Sequence, residues 1–116
     1  MKKPLSDQQR LTPILDAANQ IIQAYESLPD GTLPDGDFRF FAFVKLTEII
    51  GEAASKLTPE FRQEQPAVQW RKIIGLRHIL VHDYDTIDEK ALWQVIRHDI
   101  PVLRDWLQQF LTSPAL

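Results

Sequence analysis

Apolar residues recur along most of this chain at intervals of three and four, the period of an α-helix with one buried face. Leu11, Ile14, Leu15, Ala18, Ile21, Ile22 and Tyr25 form one such stripe, and predict a first helix over Ser6–Ser27. Ser6 followed three residues later by Gln9 has the form of a capping box. Pro13 is awkward within that span: either the helix is kinked there, or its regular part starts near Thr12 with Pro13 in the first turn. The segment Leu28–Asp37, LPDGTLPDGD, holds two Pro-Asp-Gly turns and is expected to be a loop.

A second helix is predicted over Phe38–Leu57. Its apolar set, Phe40, Phe43, Val44, Leu46, Ile49, Ile50, Ala53, Ala54 and Leu57, exceeds one stripe, as in a helix covered on two sides, by the core and by a second subunit. Gly51 lies inside it at a cost of roughly 1 kcal/mol relative to alanine, and close approach by another helix would compensate. Thr58-Pro59-Glu60 caps a short helical turn that Pro66 ends. A third helix is expected over Ala67 to Val81 or His82, with Ile73, Leu76 and Leu80 on one face, followed by a break at Asp83–Ile87. Asp88 or Thr86 caps a fourth, over Glu89–Leu111, whose face is Leu92, Trp93, Ile96, Ile100, Leu103, Leu107 and Phe110. Pro101 should bend it. The class is all-α: a four- to five-helix up-and-down bundle, one domain over 1–116 with an ordered core at about 6–111.

Composition narrows the setting. The chain has 116 residues, 44% of them hydrophobic and 25% charged, enough for a real core. It has no cysteine, so neither disulfides nor thiolate metal sites arise. No apolar run approaches the roughly 20 residues that span a bilayer, and Met1-Lys2-Lys3-Pro4 is basic without an apolar h-region. A cytoplasmic protein without membrane contact is expected. The net charge of −3 disfavours broad nucleic-acid binding, though not a small site with concentrated arginines.

The chemistry concentrates in Arg77-His78-Ile79-Leu80-Val81-His82-Asp83-Tyr84. Arginine grips phosphate with a planar, permanently charged fork, and histidine passes protons near neutral pH. Together they suffice for cutting a phosphodiester without a metal. The spacing alone is weak, since chance produces on the order of 0.2 such pairs in a chain of this composition, and Arg71 with His78 is a competing pair. A histidine near a helix C-terminus can equally serve the free carbonyls there. Asp83 and Asp85 read as loop acids, and Arg97 and His98 as surface residues. A metal site from Asp83, Asp85, Asp88 and the histidines matches neither EF-hand nor zinc spacing; no metal or cofactor is expected. Glu48 and Glu52, like charges one helical turn apart, are either solvated or turned so that one pairs with an arginine. The three tryptophans suit a packed core and an interface better than base stacking, and Trp70 and Trp93 should brace the segment between them.

Taken together, Ile49-Ile50-Gly51-Glu52-Ala53-Ala54, Leu57, Glu60, Trp70, Ile73, Gly75, Arg77-His78, His82, Tyr84, Ile87-Asp88, Trp93 and Pro101 resemble the HepT-like branch of the HEPN superfamily, from about Leu11 to Leu107. The resemblance implies a HEPN-like helical homodimer acting as a ribonuclease toxin, paired with an MntA-type minimal nucleotidyltransferase antitoxin. The family motif, Arg, four residues, His, one residue, Tyr, falls on Arg77, His82 and Tyr84. Arg77 and His82 would be catalytic, and Tyr84 would be the residue that the antitoxin modifies with AMP. Many members have asparagine after the arginine; this chain has His78. Residues five apart are offset by about 140° around a straight helix, a gap that two copies of the segment facing across a two-fold axis would close. His78, Asp83 and Glu52 are auxiliary candidates. From a different class, the alternative is a non-catalytic dimeric module that binds a nucleotidyltransferase or nucleotide.

Overall fold

The computed structural model describes residues 5–78 and 88–113. His82, Asp83, Tyr84, Asp85 and Thr86, with the break expected at Asp83–Ile87, lie outside the described residues. The described chain is helical throughout: α1 (Asp7–Glu26), a 3-10 turn (Pro29–Gly31), α2 (Arg39–Ser55), α3 (Pro59–Glu64), α4 (Trp70–Gly75), α5 (Glu89–Gln94), a π turn (Val95–Asp99) and α6 (Ile100–Thr112). No described helix is long and apolar enough to cross a membrane.

The capping box forms as the sequence predicts. Gln9 N–H donates to Ser6 Oγ (3.1 Å) and Ser6 N–H to Gln9 Oε1 (2.8 Å), so two end donors without helical partners are satisfied reciprocally. α1 then runs on through Pro13, so the alternative of a start near Thr12 is set aside. Pro13 and Gln9, whose carbonyl the proline leaves without its N–H, are both exposed, and water can take the vacant position. Leu11, Ile14, Ala17, Ala18, Ile21 and Ile22 are buried, against α2 and α6.

The loop after α1 is built from turns. Gly36 has φ +80°, and Asp37 N–H closes on the Pro34 carbonyl at 3.1 Å. That positive φ is what the third position of a type II turn requires and glycine supplies without strain. Asp37 then accepts from the Arg39 backbone N–H (2.9 Å) and, in a fork, from its guanidinium (3.0 and 2.8 Å), anchoring the start of α2.

Three boundaries depart from expectation. α4 begins at Trp70 rather than Ala67. It ends at Gly75, where the helix was expected to continue to Val81 or His82; the Arg77 and His78 N–H groups donate to carbonyls three residues back, a tightened turn in place of α-helix. Trp70 is 5% exposed and its indole N–H donates to the Gln65 carbonyl (3.0 Å), which holds residues 66–69 as an irregular corner. The predicted fourth helix is split by the π turn. Ile100 N–H reaches back five residues to the Val95 carbonyl. Pro101 follows at once; in a regular helix its ring would press on the Arg97 carbonyl, and the wider turn relieves this. Burial continues through the break, at Leu92, Val95, Ile96, Ile100, Leu103 and Leu107.

Aromatic rings lock one end of the bundle. Trp106 stacks on Phe110 (centroids 5.1 Å apart) and meets Trp70 edge-on (5.5 Å), while Phe61 meets Phe110 (5.7 Å) and Trp70 (6.1 Å). Trp93 instead packs on Phe43 (5.6 Å) and Tyr25 (6.3 Å). All three tryptophans are engaged with core aromatics, Trp70 where α4 begins and Trp93 on α5, on either side of the motif segment.

Candidate active site

Arg77 lies in the turn that ends α4, its N–H donating to the Ile74 carbonyl at 3.3 Å. Leu76 before it is fully buried, which pins the turn to the core. The turn rests directly on Gly51 of α2: a Cβ built there would fall 2.4 Å from Arg77 N and 3.1 Å from Arg77 Cα. Only a residue without a side chain permits that approach. This is the close contact foreseen for Gly51, and what approaches is the backbone of the candidate catalytic arginine.

The Arg77 side chain is about one-third exposed, and its Nη1 stands 3.8 Å from Glu52 Oε2. Glu52 in turn lies 3.7 Å from Lys56 Nζ. Both separations exceed hydrogen-bond length, and such solvated pairs are worth about 0–1 kcal/mol. Arg77 Nε is buried without a hydrogen-bond partner among the described residues. The guanidinium is thus held by its stem and turn rather than neutralised by a strong partner. It opens on a cleft of about 450 Å³ lined by Lys45, Glu48, Ile49, Glu52, Ala53, Lys56 and Arg77. Three cations and the carboxylates of Glu48 and Glu52 border this cleft, a local excess of positive charge on a chain of net negative charge.

Of the residues singled out in the sequence, the structure brings together Arg77 and Glu52. His78 follows in the same turn and is exposed, its N–H donating to the Gly75 carbonyl (3.0 Å). Asp88 is a cap, its Oδ1 accepting from Ala91 N–H (3.0 Å). His98 is exposed. Arg97 is exposed but anchored: its Nε donates to the Tyr25 hydroxyl (2.9 Å) and its guanidinium lies about 6 Å from the centres of the Tyr25 and Trp93 rings. It therefore ties the π turn to α1, a role its surface position in the sequence did not reveal. Lys45 and Lys56 were also missed as site residues. Their signal was present, since Lys45, Glu48, Ile49, Glu52 and Lys56 recur at three and four along one face of α2.

The model of the family described as "Ribonuclease HepT-like" matches residues 14–110. The chain belongs to the HepT-like ribonuclease family. "Putative RNase MJ1380" of Methanocaldococcus jannaschii is 33% identical over 94 residues, 81% of this chain and 86% of that protein. "Putative RNase TTE0752" of Caldanaerobacter subterraneus is 39% identical over 60% of this chain and 62% of its own length. "Probable ribonuclease HepT" of Thermococcus cleftensis is 36% identical over 55% of this chain and 58% of its own length. No solved structure matches. The all-helical architecture agrees with HepT-like membership, and membership makes ribonuclease the enzyme class of this chain.

Proposed function

We propose that the chain is a ribonuclease toxin of the cytoplasm that cuts RNA without a metal, using Arg77 and His82. The observation that carries this is the seating of Arg77: its backbone is pressed onto Gly51, and its guanidinium borders an open, cation-rimmed cleft without a strong partner. A group so placed suits charge that develops on a phosphate in the transition state. In the reaction the RNA 2′-oxygen attacks the adjacent phosphorus and the bond to the 5′-oxygen breaks. His82 takes the 2′-hydroxyl proton, and a protonated histidine gives one to the departing 5′-oxygen. The products are a 2′,3′-cyclic phosphate and a 5′-hydroxyl, so protons and charge balance without a further reactant.

The working unit is a homodimer. Two copies meeting about a two-fold axis near Arg77 bring two arginines and two histidines into one cleft. Tyr84 is the off-switch. A nucleotidyltransferase antitoxin of the MntA type transfers AMP from ATP to its hydroxyl, the phenolic oxygen losing its proton and displacing pyrophosphate from the α-phosphorus; the added negative phosphate would pair with Arg77 and bar the RNA phosphate.

The test is RNA cleavage in EDTA by wild type and His82→Ala, with the new ends analysed. Cyclic-phosphate ends that vanish in the folded mutant are expected; intact RNA from folded, unmodified wild-type dimer overturns the proposal. For the switch, co-expression with a nucleotidyltransferase of the MntA type should add the mass of AMP to the peptide carrying Tyr84, and an unmodified peptide from silenced protein would sink it.

A further inference from the structure

A second cleft, of about 500 Å³, lies at the other end of α2, between the turn-rich loop and α5; Leu33, Asp35, Phe41, Glu89, Trp93 and Arg97 are among its lining residues. Its volume falls in the range of small-ligand sites, about 300–1,000 Å³. Three features distinguish it from an ordinary surface hollow. Arg97 is fixed in place by the Tyr25 hydroxyl, more loosely by the Gly31 carbonyl (3.5 Å), and by the Tyr25 and Trp93 rings beneath its guanidinium. Among the described residues those contacts use Nε and one of the two Nη2 hydrogens, so Nη1 and the second Nη2 hydrogen remain as a fork for a ligand. Phe41, 63% exposed, stands at the wall as an open aromatic face. Carboxylates of Asp35 and Glu89 share the cleft with the arginine, while Asp37 is taken by Arg39.

The two clefts lie along one face of α2. Phe38, Phe41, Lys45, Glu48, Ile49, Glu52 and Lys56 follow one another at three and four on α2, or at the residue just before it. Of this outward stripe Phe41 lines the second cleft, and Lys45, Glu48, Ile49, Glu52 and Lys56 line the Arg77 cleft. From Phe41 to Glu52 the helix rises about 16 Å, a distance that a few nucleotides of single-stranded RNA cover.

We infer that this second cleft is a base-binding subsite of the ribonuclease, taking an unpaired guanine a few nucleotides from the scissile phosphate. The inference rests on the ribonuclease function proposed above. Single-stranded RNA is read by stacking bases on aromatic side chains and by hydrogen bonds to their edges. A phosphate would suit Arg97 but meet Asp35 and Glu89 as like charges. Guanine satisfies both signs: O6 and N7 accept from an arginine fork, and N1–H and the N2 amino group donate to a carboxylate. Adenine, cytosine and uracil lack that pairing of a two-acceptor edge with a two-donor edge. Phe41 supplies the stacking face.

The experiment titrates the full-length protein with GMP, AMP, CMP and UMP, reading the tryptophan indole N–H signals by NMR, with Trp93 assigned through Trp93→Phe. Saturable movement of the Trp93 signal is expected with GMP at concentrations on the order of ten-fold below those the other three require, with Trp70 and Trp106 unmoved. Phe41→Ala and Asp35→Asn, both at exposed positions, should each weaken GMP by on the order of ten-fold with an unchanged melting curve. No Trp93 response, or an equal response to all four nucleotides, overturns the subsite. RNA cleavage by the same samples separates the two proposals. Cutting without GMP binding removes the subsite and leaves the ribonuclease; GMP binding by a protein that cuts no RNA leaves the subsite and removes its assignment to a nuclease.

Discussion

The α4 segment places a cation on each of two sides of the molecule, and the two are held differently. Lys72 makes a hydrogen-bonded ion pair with Asp99 at 3.1 Å, joining α4 to the π turn. Arg77 faces Glu52 at 3.8 Å across a cleft. The first pair is short, and the Asp99 side chain is only 19% exposed; the second is long, and Glu52 is more than half exposed and shared with Lys56. One cation spends its charge on tertiary structure. The other is loosely paired beside an open cleft, and its position is secured by backbone contact with Gly51 instead. Pair length and exposure thus separate a structural cation from a candidate catalytic one within a single short helix.

The largest test of that contrast is Arg77→Ala. RNA cleavage should fall about 100- to 1,000-fold, the scale of losing one transition-state charge stabiliser, while the melting temperature changes little. A large drop in stability with cleavage retained would reverse the roles assigned to the two cations. Gly51→Ala comes next. The new methyl cannot coexist with Arg77 N at 2.4 Å, so α4 must shift, at a cost of about 1–3 kcal/mol for overpacking. Cleavage should fall at least ten-fold because Arg77 moves with its backbone; denaturation and cleavage assays on one preparation read both. Lys72→Ala should show the opposite pattern, losing about 1 kcal/mol because Asp99 is left without its partner, with cleavage within about two-fold of wild type.

The smallest expected effect concerns acid. Asp37 has a carboxyl pKa lowered from its ordinary 3.8, chiefly by the side-chain hydrogen bond from Arg39 and then by the backbone one. A depressed folded-state pKa stabilises above the unfolded value and loses that stabilisation as pH falls through the folded value. The junction of the loop with α2 should therefore loosen only below about pH 4, seen as faster amide exchange at Arg39 than at residues within α1. Asp37→Asn should flatten that dependence; an unaltered acid profile in this variant would assign the effect to another carboxylate.

Much of the fold was legible because it is local. The Ser6–Gln9 box, the Thr58 and Asp88 caps, the turn at Gly36 and the buried stripes of α1, α2 and the final helices all follow from neighbours within a few positions. The start of α4 was misplaced because Trp70 hydrogen-bonds Gln65 and packs on Trp106, a contact distant in sequence that outweighs the helical tendency of Ala67. Pro101 announced a disturbance, but not that a π turn would absorb it. At the candidate site, Arg77 and Glu52 were both visible as residues, and their meeting was named only as an option. Arg97 was read as surface because nothing near it in sequence indicates Tyr25, 72 positions away.

The sequence alone determined the all-helical class, the residues that face the core and the motif that points to RNA, since helical period, capping and side-chain chemistry are properties of short segments. Tertiary structure decided which charged groups are paired and which stand open. It set the backbone of Arg77 on Gly51, closed Lys72 onto Asp99 and fixed Arg97 over two rings. Each of these depends on how separate helices approach, and helix approach is set by packing of the whole core rather than by any window of the chain.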